Sequence, residues 1–212
     1  MSNEESKRNA ILGGKLVSTL EKLGYAAYYC ATKEEALAKA LELIPETDVV
    51  SWGGSASIEE IGLKAAIKAR NKYIDRDEAP TLAENMERRR QGLLADTYLM
   101  STKALALQGE LVNIDGTGNR VAALCFGPKQ MVLVVGMNKV APDLHTAIAR
   151  ARNTAAPINV QRFPARKTPC QQNGSCANCT SPDTICNHIV VTRRSAPVGR
   201  IKIILVGENL GF

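Results

Sequence analysis

The chain has 212 residues, 45% of them hydrophobic and 23% charged, and carries a net charge of +6. That composition is globular, and the length suffices to bury a core without covalent staples. Aromatic residues make up only 4% and no basic run exceeds Arg88-Arg89-Arg90, which excludes a nucleic-acid binder of the stacking type and leaves a small anionic ligand or an acidic partner to suit the charge.

The N-terminal MSNEESKRNAILGG lacks an apolar signal core, and no apolar run is long enough to span a bilayer. The expectation is a cytoplasmic protein with no membrane span, whose thiols stay reduced. From Glu4 to Leu23, apolar residues recur at helical spacing, and Gly24 ends that helix. Tyr25 to Cys30 reads as a short strand. Thr32 with Glu35 reads as a capping box opening a helix to about Leu43. Asp48 to Trp52 is a second strand. A tight turn, Gly53-Gly54-Ser55-Ala56, follows, and Ser57 with Glu60 reads as a second capping box for a helix to about Ala69. Tyr73-Ile74 and a helix over 82–95 continue the alternation, which predicts a parallel sheet with helices on its faces. Arg88–Arg90 reads as a solvated helix face.

Beyond residue 95 the pattern changes to apolar runs broken by glycine-rich turns. Tyr98–Met100, Ala104–Asn113, Val121–Phe126 and Met131–Val135 read as consecutive strands, partly antiparallel. Pro142 to about Ala155 is helical, Ile158–Val160 adds a strand, and 188–192 with 200–206 forms a terminal strand pair. No linker divides the chain, so residues 1–212 read as one α/β domain, a mixed sheet flanked by helices, with a cysteine-rich loop at 168–188.

Three segments carry chemistry. Gly53-Gly54-Ser55-Ala56-Ser57 joins a strand to a helix N-terminus, where backbone N–H groups and hydroxyls suit a phosphate or carboxylate. Asn113-Ile114-Asp115-Gly116-Thr117-Gly118-Asn119-Arg120 reads most simply as a hairpin loop. On the functional reading Arg120 pairs with a ligand anion, Asp115 orients Arg120 or serves as acid or base, and Lys139 adds a second positive charge. The third segment is TPCQQNGSCANCTSPDTIC, in which Cys170, Cys176, Cys179 and Cys186 are spaced C-x5-C-x2-C-x6-C. One close pair with an outlying cysteine on either side suits a four-cysteine [4Fe-4S] cluster, with zinc as the alternative and disulfides as a third option. Cys30 and Cys125 read as small buried hydrophobes, and His145 and His188 as bystanders.

SWGGSASIEEIGL, NIDGTGNRVAALCFGPKQMVLVVGMNKV and IKIILVGENLGF together resemble the lactate-utilisation (LUD) domain family, which includes one subunit of a bacterial lactate oxidation system. The resemblance implies a fold of the ribose-5-phosphate isomerase and CoA-transferase type. It also implies a ligand crevice drawing on Gly53, Gly54, Ser55, Ser57, Glu60, Asp115, Gly116, Gly118, Asn119, Arg120 and Lys139, with Asp115 and Arg120 as the catalytic candidates. The function expected is a redox accessory protein or oxidoreductase component with a redox protein partner. The alternative is a non-catalytic assembly module around a structural zinc; transferase or isomerase chemistry would rest on fold analogy alone.

Overall fold

The computed structural model describes residues 2–212. Helix α1 (Asn3–Lys22) starts at a reciprocal capping box between Ser2 and Glu5 and leads to β1 (Ala26–Cys30). The order continues α2 (Lys33–Leu43), β2 (Val49–Trp52), α3 (Ala56–Glu60), α4 (Leu63–Arg70), β3 (Lys72–Ile74), α5 (Leu82–Gln91) and β4 (Thr97–Met100). Strands β5 (Ala104–Ala106) and β6 (Leu111–Asp115) precede α6 (Asn119–Cys125), β7 (Gln130–Gly136) and β8 (Val140–Ala141). Helix α7 (Leu144–Arg150) runs through a π turn, Ala151–Ala155, into α8 (Ala156–Val160). The last elements are α9 (Pro169–Asn173), β9 (His188–Thr192) and β10 (Ile201–Val206).

The strands form two sheets. Six make a wholly parallel sheet in the order β1-β10-β7-β4-β2-β3. Four make a mixed sheet, β8-β5-β6-β9, with β5–β6 and β6–β9 antiparallel. The central strands alternate their side chains between two cores, as the pleat requires. Met131, Leu133 and Val135 of β7 pack with Leu16 and Leu20 of α1, Leu124 of α6, and Leu105 and Leu111 of the small sheet. Val132 and Val134 face the other way, toward Ala36, Ala40, Ile58, Leu63 and Ile67 on α2, α3 and α4. A third core seats α7 and α8 on the small sheet through Ala147, Ala151 and Ala156, whose small side chains permit close approach. Among the described residues no helix is long and apolar enough to cross a membrane.

Several local expectations give way. Of residues 121–126, all but Phe126 are helical rather than extended: the Asp115 carboxylate accepts the N–H groups of Arg120 and Val121 and so caps α6 from upstream. The Asp115–Gly118 segment is therefore a strand-to-helix turn, not a hairpin. Ser57 does not cap a helix either, because the cap position is Ser55, which makes no capping hydrogen bond. Glu60 instead accepts from the Gly211 N–H. Left-handed Gly62 then breaks the expected single helix into α3 and α4. Thr32 caps α2 through the Glu35 N–H, but the Glu35 carboxylate turns to the Ala31 N–H, so the box is not reciprocal. Residues 158–160 belong to α8, continuing the helical path from α7. The expected terminal strand pair separates, since β9 joins β6 in the small sheet and β10 inserts between β1 and β7. Cys125, at the end of α6, is exposed, whereas Cys30 is buried.

Candidate functional site

Strands β2, β4 and β7 are neighbours in the parallel sheet, and their carboxyl ends deliver the same crevice. The segment after β2 supplies Gly54, Ser55 and Ser57, that after β4 supplies Ser101 and Lys103, and that after β7 supplies Lys139. Lys139 is buried, and its Nζ donates to Ser57 Oγ at 2.8 Å and to Ser101 Oγ at 3.0 Å. Arg150 of α7 fixes the adjoining backbone by donating to the carbonyls of Lys103 (2.5 Å) and Asn138 (3.1 Å). Ser55 Oγ is buried in the same wall with no hydrogen-bond partner among the described residues. Lys103 Nζ sits 4.8 Å from the centre of the Phe212 ring.

Both lysines are poised between charged and neutral forms. Burial pulls Lys103 down to about 7, with Arg120 and Lys139 adding to the effect. Burial likewise pulls Lys139 down to about 7, helped by Arg150 and opposed by Glu60. An anion placed among them would restore their protons and relieve their mutual repulsion.

The two glycines of the turn seat arginines. A Cβ on Gly53 would lie 2.4 Å from Arg120 Cδ, and one on Gly54 would lie 3.2 Å from Arg76 Nη2. Arg120 is held from behind, its Nε 3.3 Å from Asp115 Oδ2 and its Nη2 donating to the Ile114 carbonyl at 2.8 Å. Burial alone would raise the Asp115 carboxyl, but Arg120 and the backbone N–H groups of the turn outweigh it and hold it below the ordinary range. Asp115 is thus ionised at neutral pH and positions Arg120.

Beyond Arg120 the crevice opens into a second compartment lined by Arg76, Arg89, Asp115, Gly116, Asn119 and Arg166. Gly54, Arg120 and Arg162 line both compartments. Gly53 and Glu60 stand behind the wall, the former under Arg120 and the latter bound to the Gly211 N–H. Gly118 faces a separate shallow depression beside Arg89. Sequence reasoning passed over Arg76, Arg89, Lys103, Arg162 and Arg166. Of the Arg88–Arg90 run, Arg90 is solvated beside Glu87, but Arg89 turns inward to donate to Thr117 Oγ1.

The four loop cysteines line one hollow of about 550 Å³, open to solvent in part, together with Thr168, Asn178 and Ile189. Cys170 lies on α9, and left-handed Asn178 turns the chain between Cys176 and Cys179. Burial pushes the Cys186 thiol up; the nearby Thr184 opposes this, and the other three cysteines add to the rise. Among the described residues no group of three or more His, Cys, Asp or Glu side chains is set to hold a metal ion. His188 is exposed on β9, opposite Asp115, and His145 is exposed on α7. The loop is tied to the anion crevice: Asn187 donates to the Gly116 carbonyl at 2.8 Å, and Ile185 lines both the hollow and the second compartment.

Comparison with known proteins agrees with this architecture. The family model described as LUD domain matches residues 14–206. A DUF162 family protein from Deinococcus radiodurans, known from its crystal structure, is similar over 93% of this chain and 98% of its own, with 14% identity and a TM-score of 0.54. A D-ribose-5-phosphate isomerase is similar over 53% of this chain and 54% of its own, with 18% identity and a TM-score of 0.34. No curated protein matches the chain.

Proposed function

The chain belongs to the LUD domain family, a lactate-utilisation-related family, and on that premise we propose that it is a redox component binding a small carboxylate or phosphate-bearing anion beside a four-cysteine iron–sulfur site. The single observation that carries the reading is the shared wall at Ile185, which sets an arginine- and lysine-lined crevice against a hollow lined by four thiols. Cys170, Cys176, Cys179 and Cys186 would hold the cluster. Their chemistry fits, because thiols gathered in one partly buried hollow favour their ionised form only beside a positive centre. A four-iron cluster is bulkier than a single ion, which suits sulfurs that line a hollow rather than converge on one point. When bound, the cluster would accept and pass on single electrons.

The residues of the chain do the rest. Ser55, Ser57, Lys103, Lys139 and Arg120 bind and orient the anion, and the lysines hold or release a proton near neutral pH. Purification without oxygen tests the reading. The expected result is iron with acid-labile sulfide in near-stoichiometric amount and a reducible visible band, with both lost in Cys176→Ser while the circular dichroism spectrum is retained. Stoichiometric zinc with no sulfide would replace the redox role with assembly. Four titratable thiols and no metal would remove both.

A further inference from the structure

The anion crevice carries more positive charge than a small monocarboxylate can use. Among the described residues its two compartments together present seven cationic side chains against two acidic ones, Asp77 and Asp115. Of those two, Asp115 is engaged by Arg120 and by backbone N–H groups, and Asp77 lies 3.4 Å from Arg76 Nε and 3.8 Å from Lys64 Nζ. The charges fall into two sets of different chemistry. At the inner end, hydroxyls dominate: Ser57 and Ser101 accept from Lys139, and Ser55 and Lys103 line the same compartment. At the outer end guanidinium groups dominate, from Arg76, Arg89 and Arg166. Arg120 and Arg162 stand where the two ends meet. The inner end also holds a buried polar atom without a hydrogen bond among the described residues, Ser55 Oγ, whereas Arg76 Nε at the outer end faces Asp77. A buried hydroxyl of that kind is ordinarily satisfied, so the inner end has room for a polar group that is not part of the chain, and the outer end offers the guanidinium groups.

We infer that the crevice takes a two-headed anion, a short phosphorylated carboxylic acid, with its carboxylate at the serine–lysine end and its phosphate among the arginines. This rests on the anion-binding reading above and sharpens it. Ammonium and hydroxyl donors at the inner end match a carboxylate. Several planar guanidinium forks match the three oxygens and double charge of a phosphate. Lactate or pyruvate would satisfy one end and leave the other unfilled. Gly53 is part of the device, because a side chain there would displace Arg120, while one at Gly54 would crowd the tip of Arg76.

Calorimetry on the full chain purified without oxygen tests this with three probes: L-lactate, inorganic phosphate and 3-phosphoglycerate. The expected result is that 3-phosphoglycerate binds about tenfold or more tighter than either single-headed ion, since joining two heads makes the second contact intramolecular. Arg89→Gln should shrink that preference, and Ser55→Ala should weaken lactate and 3-phosphoglycerate together. Lactate binding as tightly as 3-phosphoglycerate would overturn the two-headed ligand while leaving a single-anion site standing. Phosphate binding as tightly as 3-phosphoglycerate would overturn the carboxylate end. Binding by none of the three would overturn this inference and the anion-binding reading together.

Discussion

Lys139 carries a cost to the fold that a bound anion would relieve. Its ammonium is buried with two serine hydroxyls and no carboxylate in hydrogen-bond reach, and its affinity for a proton falls accordingly, to about 7. In the unfolded chain a lysine holds its proton up to about 10.4. Below pH 7 both states are protonated, and the folded chain bears the full cost of the buried charge. Between about 7 and 10 the unfolded chain holds more protons, so this residue lets stability rise with pH. Anion binding has the opposite dependence, since it favours the protonated amine and weakens as pH climbs above about 7. Lys139→Met is therefore expected to stabilise the ligand-free protein at pH 6 by about 1 kcal/mol or more, with a smaller gain at pH 9. It should also weaken and flatten the pH profile of anion binding. Denaturant melts and calorimetry at the two pH values check this, and destabilisation at both would show that Lys139 serves the fold instead.

At the scale of the element, the strand-to-helix turn between β6 and α6 joins stability to the site. Asp115 ends the strand, caps the helix through the Arg120 and Val121 N–H groups, and fixes the Arg120 side chain that the ligand would meet. Because it is nearly fully buried, removing it leaves a guanidinium without its partner and a helix without its cap. Asp115→Ala is expected to cost about 3 kcal/mol. Its carboxyl is held below the ordinary range, so its contribution is complete above about pH 3.9 and fades as pH falls below that value. Urea melts at pH 7 and pH 3 test the point: the difference between parent and variant should be smaller at pH 3 than at pH 7. Reading 121–126 as a strand missed this turn, because an apolar run of six residues fits either element and only the upstream carboxylate decides between them.

For the whole molecule, most of the net charge of +6 falls in one crevice, where, among the described residues, seven cationic side chains face two acidic ones, while salt screens its field only where water enters. Raising potassium chloride from 50 to 500 mM is expected to weaken 3-phosphoglycerate binding by about tenfold and lactate binding by less, since fewer cationic groups meet the smaller anion. Equal salt slopes for the two would mean that they meet the same charges. The arrangement also explains what was legible beforehand. The four cysteines could be read as a group because they fall within one short loop and their spacing alone allows them to meet. The turn at Gly53–Ser57 could be read as lining a crevice because glycine and serine between a strand and a helix have a local meaning. Arg76, Arg89, Arg162 and Arg166 could not, because they sit after β3, on α5 and beyond α8, where each looks like an ordinary surface cation.

The α/β alternation, the parallel sheet under its helices and the cysteine loop were readable from residue order, because they rest on periodicity, caps and spacings within a few residues of each other, and three motif segments carried the family resemblance. Long-range packing settled that β9 and β10 part into different sheets, that Ser57 holds a buried lysine instead of a helix end, and that Gly53 makes room for Arg120. Those outcomes depend on which distant segments share a wall, and a local pattern carries no information about its neighbour across the sheet.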